Sequence, residues 1–187
     1  MKGWVGAFSL HLIVNTTLKS TLQLLRFHFS FFLMPVYFFA LSQVNQINWF
    51  NAALVFVTLH LLIYPASNGY NSYMDRDTSP IGGLKNPLQP TKQLFFVTVC
   101  MDVTAVLLSF FVSWLFAIGI LLYTLASRAY SYRKIRLKKY PIVGYLTVVI
   151  FQGAVTFFLV YHGSDSNHTI HLPVISMVAA SLLIGGF

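Results

Sequence analysis

Between Phe27 and Met74 the chain carries no Asp, Glu, Lys or Arg. As one continuous helix this run would be roughly 70 Å long at ~1.5 Å per residue. A bilayer core is only ~30 Å thick, so the run must fold back on itself. The polar stretch SQVNQIN at 42–48 is the natural turn, which predicts one span at about 24–42 and a second at about 49–68. A soluble fold is excluded on the same ground. Of 187 residues 57% are hydrophobic and 9% charged, with mean hydropathy +0.71, whereas soluble domains carry about a quarter charged residues.

The run from Gln93 to Ser127 contains one charge, Asp102, and is basic at both ends. At ~52 Å it is too long for one crossing. Basic flanks share a side of the membrane, so the number of crossings between them is even. A tight turn near Phe111–Trp114 then gives spans at about 93–111 and 114–131. A fifth span is predicted at about 142–161 and a sixth, cut off before completing a crossing, at 170–187, with an interfacial amphipathic segment at 1–20. All twelve Lys and Arg residues fall on one side of this arrangement. The opposite loops, around 43–48, 111–114 and 162–169, have none. The expectation is therefore a single all-α, polytopic membrane bundle, with its N-terminus and basic loops cytoplasmic.

The net charge of +8 points to anionic headgroups rather than nucleic acid, because no polar surface is rich enough to display it. A single cysteine, Cys100, excludes an internal disulfide and a thiolate zinc cluster. His162, His168 and His171 near Asp165 have no compact metal-binding spacing and read as a solvated outer loop.

One stretch stands out against the apolar background. In SNGYNSYMD, residues 67–75, Asn68, Asn71 and Asp75 lie at i, i+3 and i+7, on one helical stripe. His60, Tyr64 and Ser67 fall roughly along the same stripe, deeper in the span. Polar residues so placed face a bundle interior or a wet cavity rather than lipid. Two readings follow. The amides could bond neighbouring helices, or the oxygens could form a site. Magnesium is held by one or two carboxylates together with substrate phosphates and water. Asp75 and Asp77 could supply those carboxylates, and the basic loops phosphate contacts. A phosphorylated lipid with its tail between the spans satisfies every piece.

The same stretch resembles the first aspartate-rich motif, N-D-x-x-D-x-x-x-D, of the UbiA-type intramembrane prenyltransferases. With the last Asp at Asp75, the other places hold Ser67, Asn68 and Asn71, so two expected carboxylates are amides. The following DRDTSPIGGLKNPLQP is similar to the family's loop, Lys85 and Pro90 having counterparts and Gln89 standing where Arg is common. A second match is YSYRKIRLKKYPIVG at 130–144, similar to the family's Tyr-x-x-x-Lys element, with Tyr130, Lys134, Arg136 and Lys138 at matching positions. Arg26 matches a basic residue entering the first span.

This resemblance implies a UbiA-like bundle of about nine spans, of which the chain holds an amino-terminal portion without the second aspartate-rich motif. It implies a Mg²⁺-dependent transfer of an isoprenoid chain from a prenyl diphosphate to a lipophilic or aromatic acceptor, in a bacterial cytoplasmic membrane. Asp75 and Lys134 are the implied catalytic residues. Asp75, Asp77, Asn71 and Asn68 are the implied metal set, and Lys85, Arg133, Arg136, Lys138, Tyr130 and Arg26 the diphosphate contacts. Two other classes stay open: a non-catalytic lipid-binding protein of the same fold, and a proton-coupled transporter using His60 and Asp102.

Overall fold

A computed structural model describes residues 17–186. The interfacial segment expected at 1–20 falls almost wholly outside them, as do Lys2 and Phe187. Six helical segments follow in order: α1 (Thr17–Ser42), α2 (Trp49–Asp75), α3 (Lys92–Ser109), α4 (Trp114–Ser131), α5 (Pro141–Ser164) and α6 (Val174–Gly185). The first five are long and apolar enough to cross a membrane. At 12 residues, α6 is about 18 Å long, short of the ~30 Å hydrocarbon core. This agrees with the five complete spans and incomplete sixth expected, the last over 170–187.

Local sequence explains most boundaries. Asn48 caps α2 through its side-chain oxygen, which accepts the amide of Asn51 at 3.1 Å. Ser113 caps α4 in the same way, accepting from the Phe116 amide at 3.0 Å. Each satisfies a backbone donor that the first helical turn leaves unpaired. Two departures are informative. α1 begins before the expected position and breaks at Arg26, whose φ of 47° is left-handed; a 3₁₀ segment, Phe27–Leu33, carries the chain onward. α2 runs on to Asp75, a full two turns beyond the expected span, and ends where Arg76 turns left-handed.

α2 also contains a π-helical segment, Val57–Ile63, and α5 contains another, Val149–Val155. The first lies just before Pro65. A proline inside a helix lacks a donor and clashes with the preceding turn, and a wide turn there relieves both problems.

The core is apolar and central: Val36, Val55, Leu59, Phe116, Ile120, Phe157 and Val160 are buried. Outward faces carry exposed Leu107, Ile118, Leu122, Ile142 and Ile175, the surface a bilayer covers. α6 packs on the π segment of α5, and α3 packs along α2.

The ends of the bundle differ. At one, Ser20 donates to the Gln89 carbonyl at 2.7 Å, and Arg133 to the Met74 carbonyl at 3.1 Å. This end gathers the loops rich in Lys and Arg. At the other, Ile47 and Asp165 form an antiparallel bridge, and Ser113 bonds His162 at 2.8 Å. Asp165 accepts from the Thr169 hydroxyl at 2.6 Å and its amide at 3.0 Å. Burial pushes that carboxyl up, but these bonds, a backbone bond from Asn167 and the nearby His168 outweigh it and hold it below the usual carboxylate range.

Candidate functional site

The polar stripe of α2 faces a cavity of about 410 Å³ at the basic end. Asn68, Asn71 and Asp75 line it with Ser67, as the i, i+3, i+7 spacing predicts. Across from them stand Tyr130 and Ser131 of α4, Lys138 of the α4–α5 loop, and Thr147 and Gln152 of α5. A second cavity of about 410 Å³ shares Ser67, Asn68, Tyr123, Val148 and Gln152 with the first. Its remaining lining is Phe29, Phe32, Leu33, Tyr64 and Ile184. One chamber is polar and cationic and the other greasy, and they meet at five common residues.

At the polar mouth the hydrogen bonds are specific. Lys138 Nζ donates to Asn71 Oδ1 at 2.6 Å and to Asp75 Oδ2. Arg136 Nη2 donates to the other Asp75 oxygen at 3.3 Å. Ser131 Oγ donates to Asn71 Oδ1 at 2.7 Å. Lys138 also sits 5.9 Å from the Tyr130 ring centroid. Between Arg136, itself left-handed with φ 46°, and α5, the 3₁₀ turn Leu137–Lys139 fixes the approach of Lys138.

Arg26 closes the cavity on the α1 side and is only 8% exposed. Its Nη2 reaches the Asn68 carbonyl at 3.4 Å, and its guanidinium lies 5.2 Å from the Phe29 ring centroid. Nε has no hydrogen-bond partner among the described residues. The helix break at Arg26 is what turns this side chain inward.

The loop after α2 packs over Arg26. Ile81 and Leu84 exchange two backbone bonds, at 3.0 and 2.7 Å, across Gly82 (φ 34°) and Gly83 (φ 77°). A Cβ on Gly82 would stand 2.5 Å from Arg26 Nη1 and 2.8 Å from Phe29. The glycine pair thus serves both the left-handed turn and the close approach.

The structure brings together Arg26, Asn68, Asn71, Asp75, Tyr130, Arg136 and Lys138. It leaves others out. Lys134 and Lys85 are exposed and line neither cavity. Arg133 is spent on the Met74 carbonyl. Asp77 lines neither cavity, and its carbonyl accepts weakly from Gln89 at 3.5 Å. Sequence reasoning passed over Tyr123 and Gln152. A lone Gln in the apolar run VVIFQGAV is the signal that could have found the latter.

Magnesium demands near-octahedral oxygen coordination at about 2.0–2.1 Å. Asp75 is the one carboxylate lining the cavity among the described residues, and cations engage both of its oxygens. Asn71 Oδ1 already accepts two donors, the capacity of an amide oxygen. As arranged, this donor set does not fit Mg²⁺.

The two intramembrane groups considered for a transporter are also accounted for. His60 is buried among Tyr37, Phe56 and Tyr64, with Nδ1 3.1 Å from the Ser30 carbonyl. Asp102 of α3 pairs with Arg128 of α4. Neither lines the two cavities. Compared with protein-family models, curated proteins and solved structures, the chain matches none.

Proposed function

We propose that the chain forms the site for a phosphorylated isoprenoid lipid, a prenyl diphosphate, within a membrane enzyme that transfers the prenyl chain to a lipophilic or aromatic acceptor. The observation that carries this reading is the continuity of a cationic polar chamber with an apolar one. Such a pair suits an amphiphile whose anionic head meets Arg26 and Lys138 while its tail runs past Phe29, Phe32 and Leu33. The resemblance of residues 67–90 and 130–144 to UbiA-type prenyltransferases adds the reaction class.

In that reaction the allylic C–O bond breaks with its electron pair leaving on the diphosphate. The acceptor bonds the same carbon and then releases a proton. Lys138 and Arg26 oppose the negative charge growing on the departing oxygen. The aromatic lining at Tyr123 and Phe32 supplies π systems that oppose the charge of the cationic carbon and keep water from it. The basic end faces the cytoplasm under the positive-inside rule.

A second reading, lipid binding without transfer, is favoured by one feature: the amides at Asn68 and Asn71 where carboxylates stand in the family motif. Two measurements on detergent-solubilised protein divide the cases. Saturable binding of radiolabelled geranylgeranyl diphosphate is expected, competed far less well by geranylgeraniol or inorganic diphosphate alone. Diphosphate release in the presence of quinol and phenolic acceptors identifies transfer, and binding without release identifies the lipid-binding protein. No saturable binding would remove both.

A further inference from the structure

Resting on the reading of the cavity as a diphosphate site, we infer that the anionic head is held directly by protein cations, and that Asp75 is their resting counter-ion rather than a metal ligand. Three observations lead there. Arg26 is more than nine-tenths buried, lines the cavity, and keeps Nε unpartnered among the described residues. A buried guanidinium with an unused Nε donor has hydrogen-bonding capacity that an anion would complete. Lys138 and Arg136 converge on a single carboxylate from the opposite wall. Asn71, held by Ser131, accepts from Lys138 and keeps its ammonium at the mouth.

The resting mouth therefore has Lys138 and Arg136 on one wall paired with Asp75 of α2, and a buried Arg26 on the α1 side that Asp77 and Asp75 influence only through space, without a hydrogen-bonded ion pair. A diphosphate entering between them competes with Asp75 for Lys138 and Arg136 and takes the free donor of Arg26. Asp75 repels the incoming head while its partners attract it. This arrangement predicts an effect of Asp75 opposite in sign to that of a metal ligand. Removing a ligand destroys anion binding, whereas removing a counter-ion frees two cations.

The experiment measures equilibrium binding of geranylgeranyl diphosphate to the full chain in detergent, in EDTA and in millimolar Mg²⁺, for the parent and variants. Affinity in EDTA is expected within about twofold of that in Mg²⁺. Asp75→Asn is expected to bind three- to tenfold tighter, about what one like charge at this range contributes. Arg26→Gln and Lys138→Gln are each expected to weaken binding about tenfold or more, through loss of a charge-assisted contact. Arg136 is half-exposed, with a side chain 49% accessible, so Arg136→Gln, expected to weaken binding several-fold, keeps the test open even if the buried positions tolerate change poorly. Binding that requires Mg²⁺, or is abolished by Asp75→Asn, overturns this inference and leaves the prenyl diphosphate site standing. Absence of binding under both conditions removes the site itself, and this inference with it.

Discussion

Arg128 and Asp102 supply the sharpest test of how this bundle is held together. Asp102 lies in the middle of α3, and Arg128 sits one turn from the end of α4. Arg128 donates from Nε at 2.8 Å and from Nη2 to the same carboxylate oxygen. Nη2 also reaches the Thr98 carbonyl at 3.3 Å, and the guanidinium lies 4.0 Å from the Tyr70 ring centroid. The side chains are 18% and 14% exposed, so solvent screens the pair little.

Replacing Arg128 with Leu leaves a largely buried carboxylate without its partner, which costs about 3–5 kcal/mol. Losing the contact with Tyr70 adds about 1 kcal/mol. Because a whole domain is stable by about 5–15 kcal/mol, this variant should be severely destabilised. The double variant Arg128→Leu/Asp102→Leu removes both charges together and is expected within about 1–2 kcal/mol of the parent. Chemical unfolding in mixed micelles, followed by circular dichroism, reads both. If the double variant were as unstable as Arg128→Leu, the cost would lie in packing, and the ion-pair reasoning would be refuted.

Two further outcomes are expected. Gly153→Ala would place a Cβ 2.5 Å from Ser181 Cα and 3.0 Å from the Ala180 carbonyl. Because backbone cannot swing aside, a loss of about 1–3 kcal/mol is expected, read as a lowered Tm with α6 more open to protease. At the opposite end, the Asp165 carboxyl is held below its ordinary range. Its contribution is therefore complete above the unfolded value of about 3.9 and lost as pH falls through the lower folded value. Below about pH 4 the parent should lose more stability than Asp165→Asn, measured as the difference in Tm between pH 6 and pH 3.

Much of this was legible in the sequence because charge is so scarce. Each polar interval between apolar runs becomes a loop, and Trp114–Ser131 matches the span expected at 114–131. The stripe Asn68, Asn71 and Asp75 was legible because all three lie in one regular α-helical stretch. Extending the stripe back to His60 failed. His60 lies within the π segment Val57–Ile63, off the α-helical register, and packs among aromatic rings while Tyr64 and Ser67 reach the cavities. Arg26 could be read as a basic residue entering a span, but not as a helix break, since no Gly or Pro marks the spot. Lys134 and Lys138 lie on either side of the left-handed turn at Arg136, which brings Lys138 to the cavity, and periodicity carries no information about that turn. The pairing of Arg128 with Asp102 is not legible in the sequence, because it depends on the packing of α3 against α4.

The wide turns in α2 and α5 work as phase adjusters. An extra residue in a helix advances the following faces by about 100°, so the two halves of one rod can answer to different neighbours. In α2 the half up to Ile63 packs into the apolar core, and the half after it lines the polar cavity with Asn68, Asn71 and Asp75. In α5 the adjustment turns Gln152 toward the cavities while Gly153 meets the backbone of α6. Stiffness and solvation are thereby uncoupled along a single helix. The chemistry at the mouth can be altered residue by residue without disturbing the register of the packed half below it.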